Sequence, residues 1–228
     1  MTQIKTQEQI KNIKKACRAT DAIFEKIIKN FYFKTEIELR DFILREVKNK
    51  GLKPSFPPIV TAGKRAGNEI HPQSTAGELS GFVIIDFGVI YEKYMSDMTR
   101  TIFVGKPTLE DEMLYAMILR GQLLGITHAN IGVKCSTVDM VVRESLGKYK
   151  KYFIHTLGHG VGTKIHEEPK LYYKLTKPVL KEQMIITIEP GIYIKKRLGI
   201  RIEDTCVITK KGCVPLTTSS KELISIQR

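Results

Sequence analysis

The chain has 228 residues, 42% hydrophobic and 27% charged, the composition of an ordinary globular protein, which excludes disordered, collagen-like and coiled-coil classes. That length lies below the roughly 250 to 300 residues at which single cores stop growing, so one domain over residues 1–228 is expected. Lys and Arg outnumber Asp and Glu by 37 to 24, a formal charge of +13, but they are scattered without a long block or an aromatic platform, so the expectation is a solvated basic surface and no nucleic-acid partner.

Over residues 7–31, Ile10, Ile13, Cys17, Phe24, Ile27, Ile28 and Phe31 recur near the 3.6-residue period and predict a first helix. Thr35 with Glu38 forms a capping box for a second, whose stripe of Leu39, Phe42, Ile43 and Val47 stops at Gly51. A proline-rich stretch at 54–58 precedes a β-branched and aromatic strand at 82–87, which pairs with 94–104. Thr108 with Asp111 predicts the cap of a third helix, with a stripe from Leu109 to Leu124 and an end near Gly132 that includes His128. Ser136 with Asp139 predicts the cap of a fourth, carrying Val138, Val141, Val142 and Leu146. Residues 152–162, 184–194 and 200–208 read as strands, the last two joined by a turn at 195–199. Helix, helix, strand pair therefore occurs twice without a residue-level repeat. This predicts an α+β fold of two pseudo-symmetric halves, with helices on one side of a mostly antiparallel sheet.

The longest apolar stretch, 82–90, is interrupted by Asp86 and is too short to span a membrane. Residues 1–12 are polar and resemble no secretory signal, so a cytoplasmic location is expected. Cys17, Cys135, Cys206 and Cys213 form no C-x-x-C pair and read as reduced structural thiols.

Acids on strands built for burial are anomalous, because an ionised carboxylate there is costly unless paired or bound to a metal. Asp86 and, 11 residues later on the pairing strand, Asp97 are two; Glu189 and Glu203, 14 apart in the second half, are the others. Between them lie His155-Thr156-Leu157-Gly158-His159-Gly160-Val161-Gly162 and His166-Glu167-Glu168-Pro169, which place three of the five histidines within 12 residues. The glycines beside His159 are expected to let backbone and ligand approach closely. Four carboxylates and an imidazole at close range would repel or take up protons without cations. Two divalent ions would balance them, and an oxygen-rich set with one His suits Mn, Co, Fe or Zn.

The blocks Ile85-Asp86-Phe87-Gly88, Ser96-Asp97-Met98-Thr99-Arg100-Thr101, Gly158-His159-Gly160-Val161-Gly162, His166-Glu167-Glu168-Pro169, Ile188-Glu189-Pro190-Gly191 and Arg201-Ile202-Glu203-Asp204 resemble the pita-bread, M24-type metallopeptidases over essentially the whole chain. That family includes methionine aminopeptidase, aminopeptidase P and prolidase. The resemblance implies a pita-bread fold and two divalent metal ions held by Asp86, Asp97, His159, Glu189 and Glu203, with Asp97 and Glu203 bridging. It implies hydrolysis of an N-terminal peptide bond by water held between the ions, with Glu189 as base, His166 as donor to the scissile carbonyl and His71 beside the substrate. His155 is similar to a histidine that contacts the residue after the scissile bond in the proline-directed branch. Arg201 is expected to orient the ligand carboxylates and contact substrate, and Tyr193 to line the pocket. The run from Glu189 to Tyr193 and the run from Gly199 to Asp204 resemble the Xaa-Pro peptidases, aminopeptidase P and prolidase. An additional N-terminal domain, usual in that branch, is not expected, because the first helix begins near residue 7. The compact size keeps methionine aminopeptidase as an alternative, and a non-catalytic binding module is a second. The expected partners are a peptide substrate and, optionally, a second copy of the chain.

Overall fold

The structure is a computed structural model and describes residues 4–227. Its first half runs α1 (Gln7–Lys29), α2 (Glu36–Asn49), β1 (Lys53–Pro54), β2 (Ile59–Ala62), the one-turn α3 (Gly63–Ala66), β3 (Gly81–Phe87), β4 (Val89–Tyr91), β5 (Tyr94–Met95) and β6 (Met98–Val104). The second runs α4 (Leu109–His128), α5 (Cys135–Ser145), a 3-10 turn (Gly147–Tyr152), β7 (Gly158–Gly160), β8 (Glu167–Leu171), β9 (Ile185–Ile188), β10 (Gly191–Ile194), β11 (Leu198–Arg201), β12 (Asp204–Thr209) and β13 (Gly212–Pro215). A final β14 (Ser225–Ile226) returns to pair in parallel with β6.

The helices begin where side chains satisfy their first free N–H groups. Thr35 and Glu38 form the expected reciprocal pair at α2, Thr108 and Asp111 do so at α4, and Thr6 with Gln9 caps α1. His128 is the last residue of α4 and holds its Nδ1 2.9 Å from the Leu124 carbonyl. The expected cap at Ser136 is not the one formed. Helix α5 starts two residues earlier, with Lys134 as its N-cap and no side-chain cap, because Lys134 bridges to Val179 and the Cys135 N–H donates to the Pro178 carbonyl. Asp139 is instead buried, accepts the Tyr173 N–H and stands 2.9 Å from Arg143 Nε.

Two sheets form the centre, ordered β14-β6-β3-β2 and β13-β12-β9-β7-β8, with a β10-β11 ribbon and a small β1-β4-β5 sheet beside them. All named pairings but β14 with β6 are antiparallel. A core of Ile23, Phe24, Ile43, Val83, Ile85 and Phe87 underlies the first sheet, and one of Ile118, Val138, Val142, Ile186, Ile188 and Ile208 the second. The strand expected over 152–162 is extended only in β7; upstream, Arg143 takes the carbonyls of Phe153 and His155 as acceptors. Asp86 lies within the unbroken β3, whereas the strands expected to carry the other three acids are each interrupted at the acid. Asp97 separates β5 from β6, Glu189 separates β9 from β10, and Glu203 separates β11 from β12. At the second break Pro190 also lacks an N–H for a ladder.

Threonine hydroxyls join the halves where the ladders stop. Thr205 Oγ1 accepts the Asp97 N–H and donates to the Asp97 carbonyl, Thr101 Oγ1 does the same for Arg201, and between them the Glu203 N–H donates to the Thr99 carbonyl at 3.0 Å. This antiparallel seam brings Asp97 and Glu203 side by side. Arg100, 1% exposed, pins its far side by donating to Asp204 Oδ1 at 2.7 Å and to the carbonyls of Glu203 and Ser219. Among the described residues no helix is long and apolar enough to cross a membrane, and all four cysteines are free thiols.

Removing Arg100 would leave Asp204 with Lys221 Nζ, 2.6 Å away, as its remaining cation and would take a donor from the Glu203 and Ser219 carbonyls. Arg100→Met is therefore expected to lower the unfolding free energy by about 3 to 5 kcal/mol in a urea titration. A loss under about 1 kcal/mol, the range of exposed pairs, would contradict this placement.

Candidate metal centre

All five predicted ligands border one cavity of about 340 Å³. Asp86 comes from β3, where it stands opposite Thr99 of β6, and His159 from the middle of β7; Asp97, Glu189 and Glu203 sit at the three strand breaks. One ligand atom from each of Asp97, His159 and Glu203 lies within 4.8 Å of the others. His159 Nε2 is also 3.3 Å from Glu189 Oε1 and 3.7 Å from Asp97 Oδ2. The glycines flanking His159 serve backbone packing: a Cβ on Gly158 would meet the Thr187 carbonyl at 2.0 Å, and one on Gly160 the Glu168 carbonyl at 2.3 Å. That clamp between β8 and β9 fixes the imidazole.

Three features of this cluster fit a cation. First, Asp86 Oδ1 and Glu203 Oε1 are buried with no hydrogen-bond partner among the described residues, and such groups ordinarily find one. Second, burial pushes the His159 pKa down to about 4, with His166 adding to the effect, so the ring is neutral near pH 7. Its Nδ1–H donates to the Gly160 carbonyl at 3.1 Å, which turns the Nε2 lone pair toward carboxylate oxygens that are themselves acceptors. Third, burial and mutual repulsion raise the carboxyls: Asp97 and Glu189 stand well above the usual range, and Glu203 is pushed up to about 8 by burial and by Asp86.

Behind these side chains, further buried groups hold the carboxylates in place. Arg201, 1% exposed, donates from Nη2 to Asp86 Oδ2 at 2.5 Å and from Nε to Thr99 Oγ1 at 3.1 Å, and Thr99 in turn donates to Glu203 Oε2 at 2.7 Å. Its Nη1 donates to the Tyr193 hydroxyl at 2.6 Å and to the Ile70 carbonyl at 3.2 Å. Burial drives the His155 pKa down to about 3, leaving a neutral ring that holds Nδ1 against the Thr156 carbonyl and receives the Tyr193 hydroxyl at Nε2, 3.1 Å away. In the second half Thr187 plays the part of Thr99, donating to Glu189 Oε1 at 3.2 Å and accepting the His159 N–H.

His71 and His166 border the cavity as expected, and the His166 ring stands 4.3 Å from that of His159. Burial lowers the pKa of both. Tyr193 and Arg201 are not among the cavity's lining residues; they lie behind the carboxylates, where the buried phenol and guanidinium are satisfied by each other and by Asp86, Thr99, His155 and Ile70. His155 also stands back, its Nδ1 4.0 Å from Glu189 Oε2. The opposite wall, Phe56, Pro57, Pro58, Ile59 and Ile165, was missed from the sequence. The proline run at 54–58 reads as a connection, and its apolar character is the signal that could have marked it as a wall.

Comparison with known proteins gives the family and the fold. The chain is 40% identical to the Xaa-Pro dipeptidase of Pyrococcus furiosus over 97% of its own length and 65% of that protein's. The crystal structure of the prolidase from Pyrococcus horikoshii OT3 superposes with a TM-score of 0.92 at 37% identity, covering 97% of this chain and 65% of that one. The X-Pro aminopeptidase from Thermotoga maritima gives 0.93 at 30% identity, over 98% and 65%. The chain thus spans just under two thirds of the length of the relatives it matches. Its fold is the α+β pita-bread fold of these structures. Since the model of metallopeptidase family M24 matches residues 11–210, most of the chain and every one of the five clustered side chains, this protein belongs to that family.

Proposed function

We propose that residues 1–228 act as one catalytic unit, a dinuclear metallopeptidase that hydrolyses the N-terminal peptide bond of Xaa-Pro peptides. The observation that carries the reading is the pair of orphaned buried oxygens on Asp86 and Glu203, facing one cavity with Asp97, Glu189 and the lone pair of His159. Relatives named Xaa-Pro dipeptidase and X-Pro aminopeptidase support the proline preference. The free cysteines suit a reducing, cytoplasmic setting.

Asp86, Asp97, His159, Glu189 and Glu203 would hold two divalent cations of the Mn, Co, Fe or Zn group, with Asp97 and Glu203 shared between them. When bound, such cations polarise the scissile carbonyl and acidify a water near neutral pH. Glu189 keeps Oε1 on the Thr187 hydroxyl, which leaves Oε2 to take the attacking water's proton and pass it to the leaving nitrogen. His166, neutral near pH 7, donates an N–H to the carbonyl oxygen as negative charge develops there, and His71 borders the substrate from the same side. The wall of Phe56, Pro57, Pro58 and Ile165 excludes water and seats apolar substrate surface.

Metal-stripped protein resupplied with each of the four metals is expected to cleave an Xaa-Pro dipeptide or an Xaa-Pro-Xaa tripeptide, and Glu189→Gln to abolish this. Cleavage of a Met-Ala-Ser tripeptide alone would move the chain to the methionine aminopeptidases. No cleavage with any of the metals would favour a binding module. His166→Ala is expected to lower kcat roughly 100-fold to 1,000-fold with metal content unchanged.

The raised carboxyls also predict a pH signature. Between about pH 7 and pH 8 the histidines are largely neutral whether the chain is folded or not, and the buried thiols Cys17, Cys135 and Cys206 add only a smaller contribution of the same sign, so the carboxylates set most of the slope. In metal-free protein Glu203, with its folded pKa near 8, keeps a proton that the unfolded chain has already lost. The folded state then binds more protons, and stability falls as pH rises from about 7 to about 8. Thermal melts of chelator-treated protein should show that fall and metal-loaded protein should not; a flat metal-free profile would contradict it.

A further inference from the structure

We infer that Lys5 is a positioning residue for His166, acting through the Glu167 carboxylate. Lys5 precedes the first helix, and its side chain is only 2% exposed; its Nζ lies 2.6 Å from Glu167 Oε2, itself on a side chain 9% exposed. The backbone carrying Lys5 is anchored on the segment that enters β9, through its N–H to the Gln183 carbonyl at 3.0 Å and a bridge from Ile4 to Met184. The cation is therefore held from the strand that leads directly to Glu189.

Glu167 is the inner support of the loop that carries Ile165 and His166 to the cavity. Its Oε1 accepts the N–H groups of Thr163 at 3.0 Å and Lys164 at 3.2 Å, closing the loop on itself. The carboxylate packs so tightly against Gly162 that a Cβ there would meet Oε1 at 2.5 Å. Gly162 in turn accepts the Met95 N–H at 2.8 Å, two residues before Asp97. Burial opposes the charge on Glu167, and the hydrogen bond from Lys5 leads the interactions that outweigh it and keep the carboxyl below its ordinary range. Without Lys5 the carboxylate would take up a proton or swing toward water, and in either case the turn next to His166 loses its brace. The inference rests on the peptidase reading for its kinetic part only.

The test is a double-mutant cycle on the metal-loaded full chain, with Lys5→Met, His166→Ala and both. Lys5→Met is expected to lower kcat/KM by roughly tenfold to a hundredfold, mainly in kcat, with metal content per chain unchanged. Lys5→Arg is expected to recover part of the loss, and in the His166→Ala background Lys5→Met should cost nothing more. Equal losses in both backgrounds would mean that the pair only supports the fold, and would overturn the inference. A second readout needs no activity: amide hydrogen exchange at Thr163 and Lys164 should quicken in Lys5→Met, or in Glu167→Gln if the first variant does not fold, while the Asp97 and Glu203 amides of the seam stay protected. Unchanged exchange at the loop would overturn the inference, whereas quickened exchange in a wild-type background without peptidase activity would leave the loop's brace standing and remove the peptidase reading.

Discussion

Repulsion among four carboxylates that border one cavity is the constraint around which this molecule is arranged. Two like charges 4 Å apart at an effective dielectric constant near 20 oppose each other by about 4 kcal/mol, and four such groups bordering one cavity cannot all stay ionised without compensation. The protein supplies part of it. Arg201 neutralises Asp86 directly and reaches Glu203 through the Thr99 hydroxyl, while Thr187 holds Glu189. The rest is unmet: carboxyls raised above their usual range, two orphaned oxygens and an imidazole lone pair pointed at acceptors. Each of these deficits is relieved by the same thing, positive charge inside the cavity.

The architecture follows from the same constraint. Three of the four acids, Asp97, Glu189 and Glu203, sit where strands stop, while Asp86 reaches the cavity from within the β3 ladder. Threonines then replace the lost ladder, and the seam they build sets Asp97 and Glu203 beside each other. Behind it Arg100 and Asp204 form a second buried ion pair facing away from the cavity. Arg201 therefore holds the clustered acids, and Arg100, from the opposite half, holds the frame.

Much of this was legible in the sequence because the chemistry contradicts the local pattern. Asp86 amid Val83, Ile84, Ile85 and Phe87 is conspicuous, and the capping boxes at Thr35 and Thr108 are complete within four residues. What depends on distant partners was not legible. The start of α5 is set by contacts from Pro178 and Val179, so the local pairing of Ser136 with Asp139 misleads. Tyr193 reads as a pocket residue by proximity to Glu189, yet its hydroxyl is consumed between Arg201 and His155. Phe56, Pro57 and Pro58 become a wall only when β2 pairs with β3 and brings them opposite the acids. Lys5 stands in an unremarkable polar stretch, and its partner lies 162 residues away.

The central claim is that the cavity's carboxylates are partly protonated until cations displace those protons. Calorimetric titration of metal-stripped protein with Mn²⁺, in two buffers of different ionisation enthalpy, reads the protons released per ion bound. Glu203, with its pKa near 8, should give net release near pH 7 that diminishes as the pH approaches 9, with His159 contributing none because it is already neutral. Binding without proton release near pH 7 would mean that the four acids are ionised and compensated without metal, and would contradict the account.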